Sequence, residues 1–402
     1  MLMGGFSLLM ALPAFGAGAD CDASWPRWQG FAGRFIQADG RVINQDMAGQ
    51  ESVSEAQAYA LFFALVANDR QAFERLLVWT RDNLAGGDLT ARLPAWRWGK
   101  KEDGSWGVLD DNNATDADLW LAYTLLEAGR LWSVSAYSAL GRLLIDRIKS
   151  SSVVELKGVG PMLLPGAKGF RPEDILKASG QPGLWRFNPS YLPLPVLRRL
   201  AQEDRSGPWT QMAGATVSLI RAAAPHGVAP DWIVWSENEG FRTDPLTGAV
   251  GSFDAIRTYL WAGMTDREDP LGGQLLGALR GMERLAAQTG VPPQVAHAGS
   301  GAGDGIGPAG FSAALIPYLK VRRQLRLSTA QNLRVVSIMD DPAANRANTG
   351  GGDSRPPGYY DYVLALFGQG WFENRFRFDK HGRLLPGWRG SCQSTRNDTS
   401  LR

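Results

Sequence analysis

The stretch Glu51-Ser-Val-Ser-Glu55-Ala-Gln-Ala-Tyr59-Ala-Leu-Phe-Phe-Ala-Leu-Val-Ala67 decides the fold of this chain of 402 residues. It starts polar and then continues as an apolar run from Tyr59 to Ala67. A helix that is apolar on all sides must be covered by its neighbours, so this run predicts an inner helix of a helical assembly. Ser54 is the candidate N-cap of that helix, and Glu55 falls in its first turn.

Two interpretations of Glu55 are open from this spacing alone. A carboxylate in the first turn complements the helix dipole, which is a purely structural role. A carboxyl group at the mouth of an apolar helix is also where burial raises a pKa, and a residue that protonates a leaving group needs a raised pKa.

Further segments have helical periodicity and are joined by long Gly- and Pro-rich connections. They span residues 71–84, 116–132, 136–148, 189–203, 209–224, 254–264, 272–289, 311–319, 329–338 and 359–371. Mostly apolar segments alternate with amphipathic ones, which favours an all-α fold with a closed double layer of helices, an α/α barrel, over a four-helix bundle. Short hairpins are predicted at Trp232–Trp235 and at Phe376–Phe378.

The N-terminus has the pattern of a secretory signal peptide. Residues 1–19 are apolar and end in Ala17-Gly18-Ala19 before Asp20, although no Lys or Arg precedes Arg27. The segment is too short to span a bilayer, and no later run is long and apolar enough. We therefore expect an exported, periplasmic or secreted protein without membrane insertion, in which residues 20–402 form a single domain.

The charges and the rare residue types exclude several classes of function. Lys plus Arg number 42 and Asp plus Glu number 40, which gives no case for nucleic-acid binding. The histidines, His226, His297 and His381, lack ligand spacing, so we expect no metal site. The two cysteines, Cys21 and Cys392, are predicted to form a disulfide in an oxidising compartment; the alternative is two unrelated thiols.

Two more acidic clusters open apolar helices. Asp116 and Asp118 follow Thr115, a candidate cap, and the helix dipole alone would explain them. Asp254 precedes Arg257 by one turn, so the pair is either a base held ionised by a guanidinium or a surface ion pair. The inner helices of an α/α barrel begin at one end, so these acids and Glu55 can meet in one cleft. One protonated and one ionised acid are what glycoside hydrolysis requires.

Tryptophan is concentrated in the long connections. Residues 88–113 contain Trp96, Trp98 and Trp106, and residues 157–188 contain Trp185. A flat aromatic face can stack on a pyranose ring, but any single Trp could equally be part of the hydrophobic core. Three in one connection favour a sugar-binding groove.

Four motifs, in order along the chain, resemble glycoside hydrolase family 8. Ser54-Glu-Ala-Gln-Ala-Tyr59 is similar to the family's acid motif, and Ala114-Thr-Asp-Ala-Asp118 to its signature. Arg186-Phe-Asn-Pro-Ser-Tyr191 and Ser252-Phe-Asp-Ala-Ile-Arg257 are similar to two further motifs. Residues 94–101, 310–314 and 359–371 and the terminal cysteines resemble more narrowly the periplasmic endoglucanases encoded with bacterial cellulose synthase. Ala56, Ala58 and Ala60 depart from the family, which often has glycine there.

The resemblance implies an (α/α)6 barrel with a few short strands in loops and an inverting endo-β-1,4-glucanase that needs no cofactor. Glu55 would be the general acid, Asp254 the general base, and Asp116 would hold the sugar at the cleavage point. Substrate-binding residues would be Trp96, Trp185, Asn188, Tyr191, Arg257, Tyr359 and Tyr360. The partner would be a β-1,4-glucan (cellulose) chain, together with the cellulose synthase export complex.

Two alternatives remain open at this stage. One is another β-1,4-glycanase of the same family, a chitosanase, xylanase or mixed-linkage glucanase. A chitosanase would want extra acids in its groove, and Glu102 and Asp103 are candidates. The other is a glucan-binding assembly factor with vestigial catalysis, against which the intact Glu55 and Asp254 argue.

Overall fold

The computed structural model describes residues 24–340, apart from residue 48, and residues 357–389. Its helices are α1 Pro26–Phe35, α2 Ser54–Val66, α3 Arg70–Trp79, α4 Thr115–Trp132, α5 Ser135–Ser152, α6 Pro172–Ser179, α7 Leu194–Glu203, α8 Trp209–Ala223, α9 Ala255–Met264, α10 Gly272–Ala278, α11 Arg280–Thr289, α12 Ala309–Val321, α13 Leu325–Asp340 and α14 Tyr359–Phe372. A π-helical turn, Thr80–Leu84, continues α3, and a 3-10 turn spans Pro189–Tyr191.

The helices form two concentric layers. The inner layer runs in the order α2, α4, α7, α9, α12 and α14, each helix packed on the next. The ring closes where Phe367 of α14 meets Tyr59 and Phe62 of α2, with ring centroids 5.4 and 5.6 Å apart. Outer helices α3, α5, α8, α10, α13 and α1 cover successive inner ones. The predicted (α/α)6 barrel is thereby confirmed.

The burial of the inner helices follows from their sequences. All ten residues of α9 are buried, and so is every residue of α2 except Glu55. Because such helices have no polar face, only a complete outer layer can keep them from water. Glu55 lies in the first turn of α2, and Asp116 and Asp118 lie in the first turn of α4.

Short strands occupy the connections and form small antiparallel sheets. They are β1 Ser52–Val53, β2 Arg97–Lys100, β3 Trp106–Asp110, β4 Val153–Leu156, β5 Gly160–Leu163, β6 Trp185–Phe187, β7 Ile233–Ser236, β8 Gly240–Thr243, β9 Val250–Gly251, β10 Val295–His297, β11 Ala302–Asp304, β12 Phe376–Phe378 and β13 Leu384–Pro386. The sheet orders are β1-β2-β3, β4-β5, β6-β7-β8, β11-β10-β9 and β12-β13. Both predicted hairpins are present, as β7-β8 and β12-β13.

Two predicted helices are each divided in the structure. The segment 189–203 begins as the 3-10 turn, and α7 starts only at Leu194, because Pro193 and Pro195 cannot supply backbone donors to a continuous helix. The segment 272–289 is interrupted at Leu279, whose backbone leaves the helical region. The sequence patterns also missed α1 and α6.

The predicted caps Ser54 and Thr115 are wrong. Ser54 is already the first residue of α2, and its hydroxyl lies 3.2 Å from Glu55 Oε2 instead of capping the helix. Thr115 donates its hydroxyl to the carbonyl of Leu164 at 2.7 Å. Ser54 thus bonds to the next residue, and Thr115 makes a tertiary contact, so neither hydroxyl is available for the helix end.

The predicted signal peptide, residues 1–19, and both cysteines, Cys21 and Cys392, lie outside the described residues. No helix within the described part of the chain is long and apolar enough to cross a membrane.

A substitution at Gly368 tests how closely the inner helices α12 and α14 pack against each other. A Cβ at Gly368 would overlap the carbonyl oxygen of Ala313 on α12. We expect Gly368→Ala to lower the free energy of unfolding by about 1 to 3 kcal/mol, the usual cost of overpacking. Gly214 of α8 is the matched control because its Cβ would meet nothing within 4 Å. Gly214→Ala should raise the free energy by about 0.5 to 1 kcal/mol in urea denaturation. Equal effects of the two changes would contradict this packing.

Candidate active site

Arg257, in the first turn of α9, connects three inner helices. Its Nη1 donates to Asp116 Oδ2 of α4 at 2.7 Å and to the Tyr59 hydroxyl of α2 at 3.0 Å. Its Nη2 donates to Asp254 Oδ1, at the N-cap of α9, at 2.7 Å. The Arg257 side chain is only 7% exposed, so these acceptors replace the water that Nη1 and Nη2 lose on folding. The predicted proximity of Asp116, Asp254 and Arg257 is thus present in the structure.

Asp254 is the more accessible acid of the Arg257 cluster. Its side chain is 30% exposed, whereas that of Asp116 is 2% exposed. Asp231 holds the chain around Asp254, because its Oδ1 accepts the backbone N–H groups of Ser252 and Ala255 at 2.8 and 2.7 Å. The base candidate therefore has a fixed backbone, a guanidinium partner and an open side towards solvent.

Glu55 lies in the first turn of α2, beside Trp96. The Trp96 Nε1–H donates to Glu55 Oε1 at 3.2 Å. Trp96 is held there because its carbonyl accepts the N–H of Ser54 and strand β1 pairs with β2 directly after it. Burial raises the pKa of Glu55 to about 8, and the nearby Asp116 carboxylate adds to the rise, while Arg257 opposes it. Glu55 is therefore protonated at neutral pH, as a general acid must be.

Asp116 and Asp118 occupy the first turn of α4, as predicted, and both are buried. Burial raises the pKa of Asp116, while the adjacent Arg257 opposes that rise. Burial also raises the pKa of Asp118 well above its usual range, although Asn113 Nδ2 donates to Asp118 Oδ2 at 2.7 Å. Asp116 is the member of this pair that contacts the Arg257 cluster.

Tyr191 and Asn188 lie next to the same cluster. The Tyr191 ring centroid is 5.4 Å from the guanidinium carbon of Arg257, and burial raises the Tyr191 pKa well above its usual range. Asn188 Oδ1 accepts from the backbone N–H and the hydroxyl of Ser190, at 3.0 and 2.7 Å, which fixes the 3-10 turn carrying Tyr191. Asn188 Nδ2 is buried without a protein partner.

Tyr359 and Tyr360 have different positions although they are adjacent. The Tyr360 hydroxyl donates to the carbonyl of Phe253 at 2.5 Å, next to Asp254. Tyr359 is 3% exposed, and its ring packs against Phe31 and Phe35 of α1. The outer helix α1 thus covers the Tyr359 ring, whereas Tyr360 is the member of the pair that lies beside Asp254.

Trp185 lies in a separate cavity of about 510 Å³ between the β6-β7 pair and the N-terminus of α6. It is opposite Trp235 on the neighbouring strand, and the guanidinium of Arg171 is 5.8 Å from its ring. The aromatic residue beside Tyr191 is instead Trp232, at 6.4 Å between centroids, with Arg186 4.0 Å from the Trp232 ring.

Comparison with known proteins agrees with this geometry. The family model for glycosyl hydrolases family 8 matches residues 1–374. This chain belongs to that family. An endoglucanase of Xanthomonas axonopodis pv. citri (strain 306) is 45% identical over 394 residues, covering 98% of this chain and 97% of that protein. An endoglucanase of Escherichia coli (strain K12) is 40% identical over 395 residues, covering 98% and 99%. The crystal structure of endo-1,4-D-glucanase from Vibrio fischeri ES114 superposes with a TM-score of 0.81 at 37% identity, covering 91% of this chain and 99% of that one.

Two residues of this family 8 enzyme's site were missed from the sequence as site residues. Tyr59 was assigned only to the apolar body of α2, yet it lies one turn after Glu55 and its hydroxyl accepts from Arg257. That i to i+4 spacing was the available signal. Asp231 precedes the β7 hairpin and gave no local signal, since its partners are 21 and 24 residues away.

The site's polar atoms are arranged for proton transfer. In the part of the chain that the structure describes, no three His, Cys, Asp or Glu side chains are grouped to hold a metal ion. The arrangement instead provides one acid that burial keeps protonated and one carboxylate that a guanidinium faces, which is the acid–base pair that glycosidases use.

The raised pKa of Glu55 predicts a pH dependence of stability. In the unfolded chain this group ionises near its ordinary value of 4.5, whereas in the folded protein it does so near 8. Its contribution to stability is therefore complete below about pH 4.5 and is lost as the pH rises towards 8. We expect the free energy of unfolding of the wild type to fall relative to that of Glu55→Gln over this window.

Urea denaturation at a series of pH values measures this difference. The variant retains Asp116 and Asp118, so subtracting the two profiles isolates Glu55. Parallel profiles between pH 4.5 and 8 would show that Glu55 ionises normally in the folded protein.

Proposed function

We propose that this family 8 enzyme is an endo-β-1,4-glucanase, a cellulase, that hydrolyses its substrate with inversion of configuration. The observation that supports this most strongly is that two carboxyl groups of the site have opposite surroundings. Glu55 is held protonated by burial, and Asp254 faces the Arg257 guanidinium. Relatives of nearly the same length are named endoglucanases, which favours β-1,4-glucan as the substrate.

Glu55 would protonate the glycosidic oxygen, since its proton is retained up to about pH 8. The Trp96 N–H at 3.2 Å keeps the carboxyl group oriented, and the Trp96 ring would stack on a neighbouring glucosyl unit. Asp254 would remove a proton from the attacking water, because its Oδ1 is held by Arg257 while its side chain is 30% exposed and so open to a water molecule.

Asp116 and Tyr191 would act on the sugar at the cleavage point. Asp116 is fixed by Arg257 and by the N–H of Ala117, which donates to Oδ1 at 2.8 Å. The Tyr191 hydroxyl would donate to or accept from a sugar hydroxyl or the attacking water, and burial raises its pKa further above the ordinary value of 10. Tyr360 is placed beside Phe253 to line the cleft near the base.

Inversion follows from a water placed between the base and the anomeric carbon. Inverting enzymes separate their two carboxyl groups by roughly 6.5 to 9.5 Å, whereas retaining enzymes hold them about 5 to 5.5 Å apart. Glu55 and Asp254 come from the ends of different inner helices. Arg257 bonds to both Asp254 and Asp116, so the base candidate belongs to the Arg257 cluster. This supports the wide spacing.

A chitosanase is the second candidate, and the surface argues against it. Glu102 and Asp103, the extra acids that a cationic sugar would need, are exposed on the tip of the β2-β3 hairpin. Lys100 and Lys101 immediately precede them, so the tip has no net negative charge.

The experiment that tests the proposal compares carboxymethylcellulose, chitosan, xylan and mixed-linkage glucan as substrates and then follows the products by proton NMR. We expect carboxymethylcellulose to be cut within the chain, with a fast loss of viscosity. Cello-oligosaccharides should release the α-anomer first, before mutarotation. Glu55→Gln should lose about 10² to 10⁴-fold in rate, the usual worth of a general acid.

Each failure has a distinct meaning. Preferred cleavage of chitosan or xylan would contradict the proposed substrate but not the proposed mechanism. A β-anomer as first product would overturn the assignment of Asp254 as a base. More than about a tenth of wild-type activity in Glu55→Gln would remove Glu55 from the acid role, given the contribution expected of that role.

We also propose that the enzyme acts in the periplasm on cellulose delivered by the synthase export complex. The support is the signal-like segment at residues 1–19 and the resemblance to the synthase-associated subgroup. Fractionation of cells, with thiol titration of the purified protein, tests this. Recovery in the cytoplasm with Cys21 and Cys392 free would contradict both the location and the predicted disulfide.

A further inference from the structure

The β2-β3 hairpin carries an exposed tryptophan that the proposed reaction does not use. Trp106 is 48% exposed, and its ring stacks on that of Trp98 with centroids 5.2 Å apart and an angle of 24° between planes. Trp98 in turn meets the edge of Trp79 at 5.3 Å. The Trp106 ring is therefore not an isolated exposed side chain: it is supported by a second, partly buried indole and presents a flat apolar face to solvent.

The pairing of the strands places the two rings on one face of the hairpin. Trp98 is opposite Val108, and Lys100 is opposite Trp106, so Trp98 and Trp106 are diagonal neighbours. β3 is the edge strand of the sheet β1-β2-β3, and Trp106 on it is 48% exposed, so part of its ring is open to solvent.

A buried arginine fixes the stack from the side. The guanidinium carbon of Arg41 lies 4.6 Å from the Trp98 ring and 4.7 Å from the Trp106 ring. Arg41 is only 7% exposed, and its Nε donates to Ser52 Oγ at 2.8 Å. The Trp106 ring is therefore held before any ligand arrives, which reduces the entropy lost on binding.

The same strand leads back to the acid. Trp96, which donates to Glu55, directly precedes β2, and Ser52, which pairs with Trp98, lies three residues before Glu55. With a rise of about 3.3 Å per residue, Trp98 lies roughly 7 Å along the strand from Trp96, and Trp106 is farther out. The row Trp96, Trp98, Trp106 thus runs from the acid towards the surface.

We propose that Trp106, backed by Trp98 and Arg41, is an outer glucan-binding platform that holds a long β-1,4-glucan chain beyond the catalytic cleft. The inference rests on the proposed glucanase function and adds to it a preference for long chains. A flat, half-exposed indole in continuity with the Trp96 end of the cleft matches the apolar face of a pyranose ring. Because cellulose carries no charge, the platform would bind it through the indole ring and not through the charged side chains at the hairpin tip.

The competing explanation is that Trp106 only covers Arg41. In that case the ring would contribute to stability and not to binding, and a shorter oligosaccharide would bind as well as a longer one. Binding and thermal stability must therefore be measured on the same variants.

The test uses the full chain carrying Glu55→Gln, which should bind without cutting. Calorimetric titration with cellotriose and with cellohexaose gives the gain in affinity with chain length. We expect Trp106→Ala to reduce that gain about three- to tenfold, the size of one aromatic stacking contact, and Trp106→Phe to restore part of it. Leu333→Ala, at a residue of α13 that is 62% exposed, is the control and should leave the gain unchanged.

The outcomes separate this inference from the proposed function. If the Glu55→Gln protein binds neither oligosaccharide, the glucanase proposal itself fails. If it binds both and Trp106→Ala keeps the full gain for cellohexaose, the platform is excluded, whatever the melting temperature does. Should Trp106→Ala not fold, Trp106→Leu, which keeps an apolar side chain without a flat ring, supplies the comparison, and an undiminished gain in that variant overturns the platform.

Discussion

The structure depends on the burial of one cation, the guanidinium of Arg257. A buried charge is tolerated only when it is paired and hydrogen-bonded, and removing its partners costs several kcal/mol, on the order of 3 to 5. The partners here are Tyr59, Asp116 and Asp254, from α2, α4 and the start of α9. The same bonds therefore hold three inner helices at one end of the barrel and place the acids there.

The state of Glu55 follows from this arrangement. Arg257 is bonded to Asp116 and Asp254, so Glu55 lies near the cluster's negative charge without a direct bond to its cation. Burial then favours the neutral form, and the Asp116 carboxylate acts in the same direction. Trp96 orients the group without neutralising a charge. A fold that needs one buried ion cluster for its packing thereby creates a protonated acid next to it.

The sequence predicted the parts of this design that depend on local pattern. The inner helices α2 and α9 are buried on all sides, Glu55 and Asp116 lie in first turns, and Asp254 is the N-cap of α9. Both the barrel and the acids could therefore be read from periodicity and motifs. What could not be read depends on contacts between distant segments. Thr115 did not cap because the carbonyl of Leu164 accepts its hydroxyl. Tyr359 is covered by a helix that had no strong signal, and Asp231 bonds to residues 21 and 24 positions away.

The measurement that most directly tests this account is the titration of Glu55 by NMR, in protein labelled with carbon-13 at the glutamate carboxyl groups. Glu55→Gln assigns the resonance by its loss. The account predicts a midpoint near pH 8, far from the ordinary value of 4.5. It also predicts that Asp116→Asn lowers the midpoint, because a negative neighbour is removed. A midpoint near 4.5 in the wild type would contradict the claim that burial, together with the neighbouring Asp116 carboxylate, keeps Glu55 protonated.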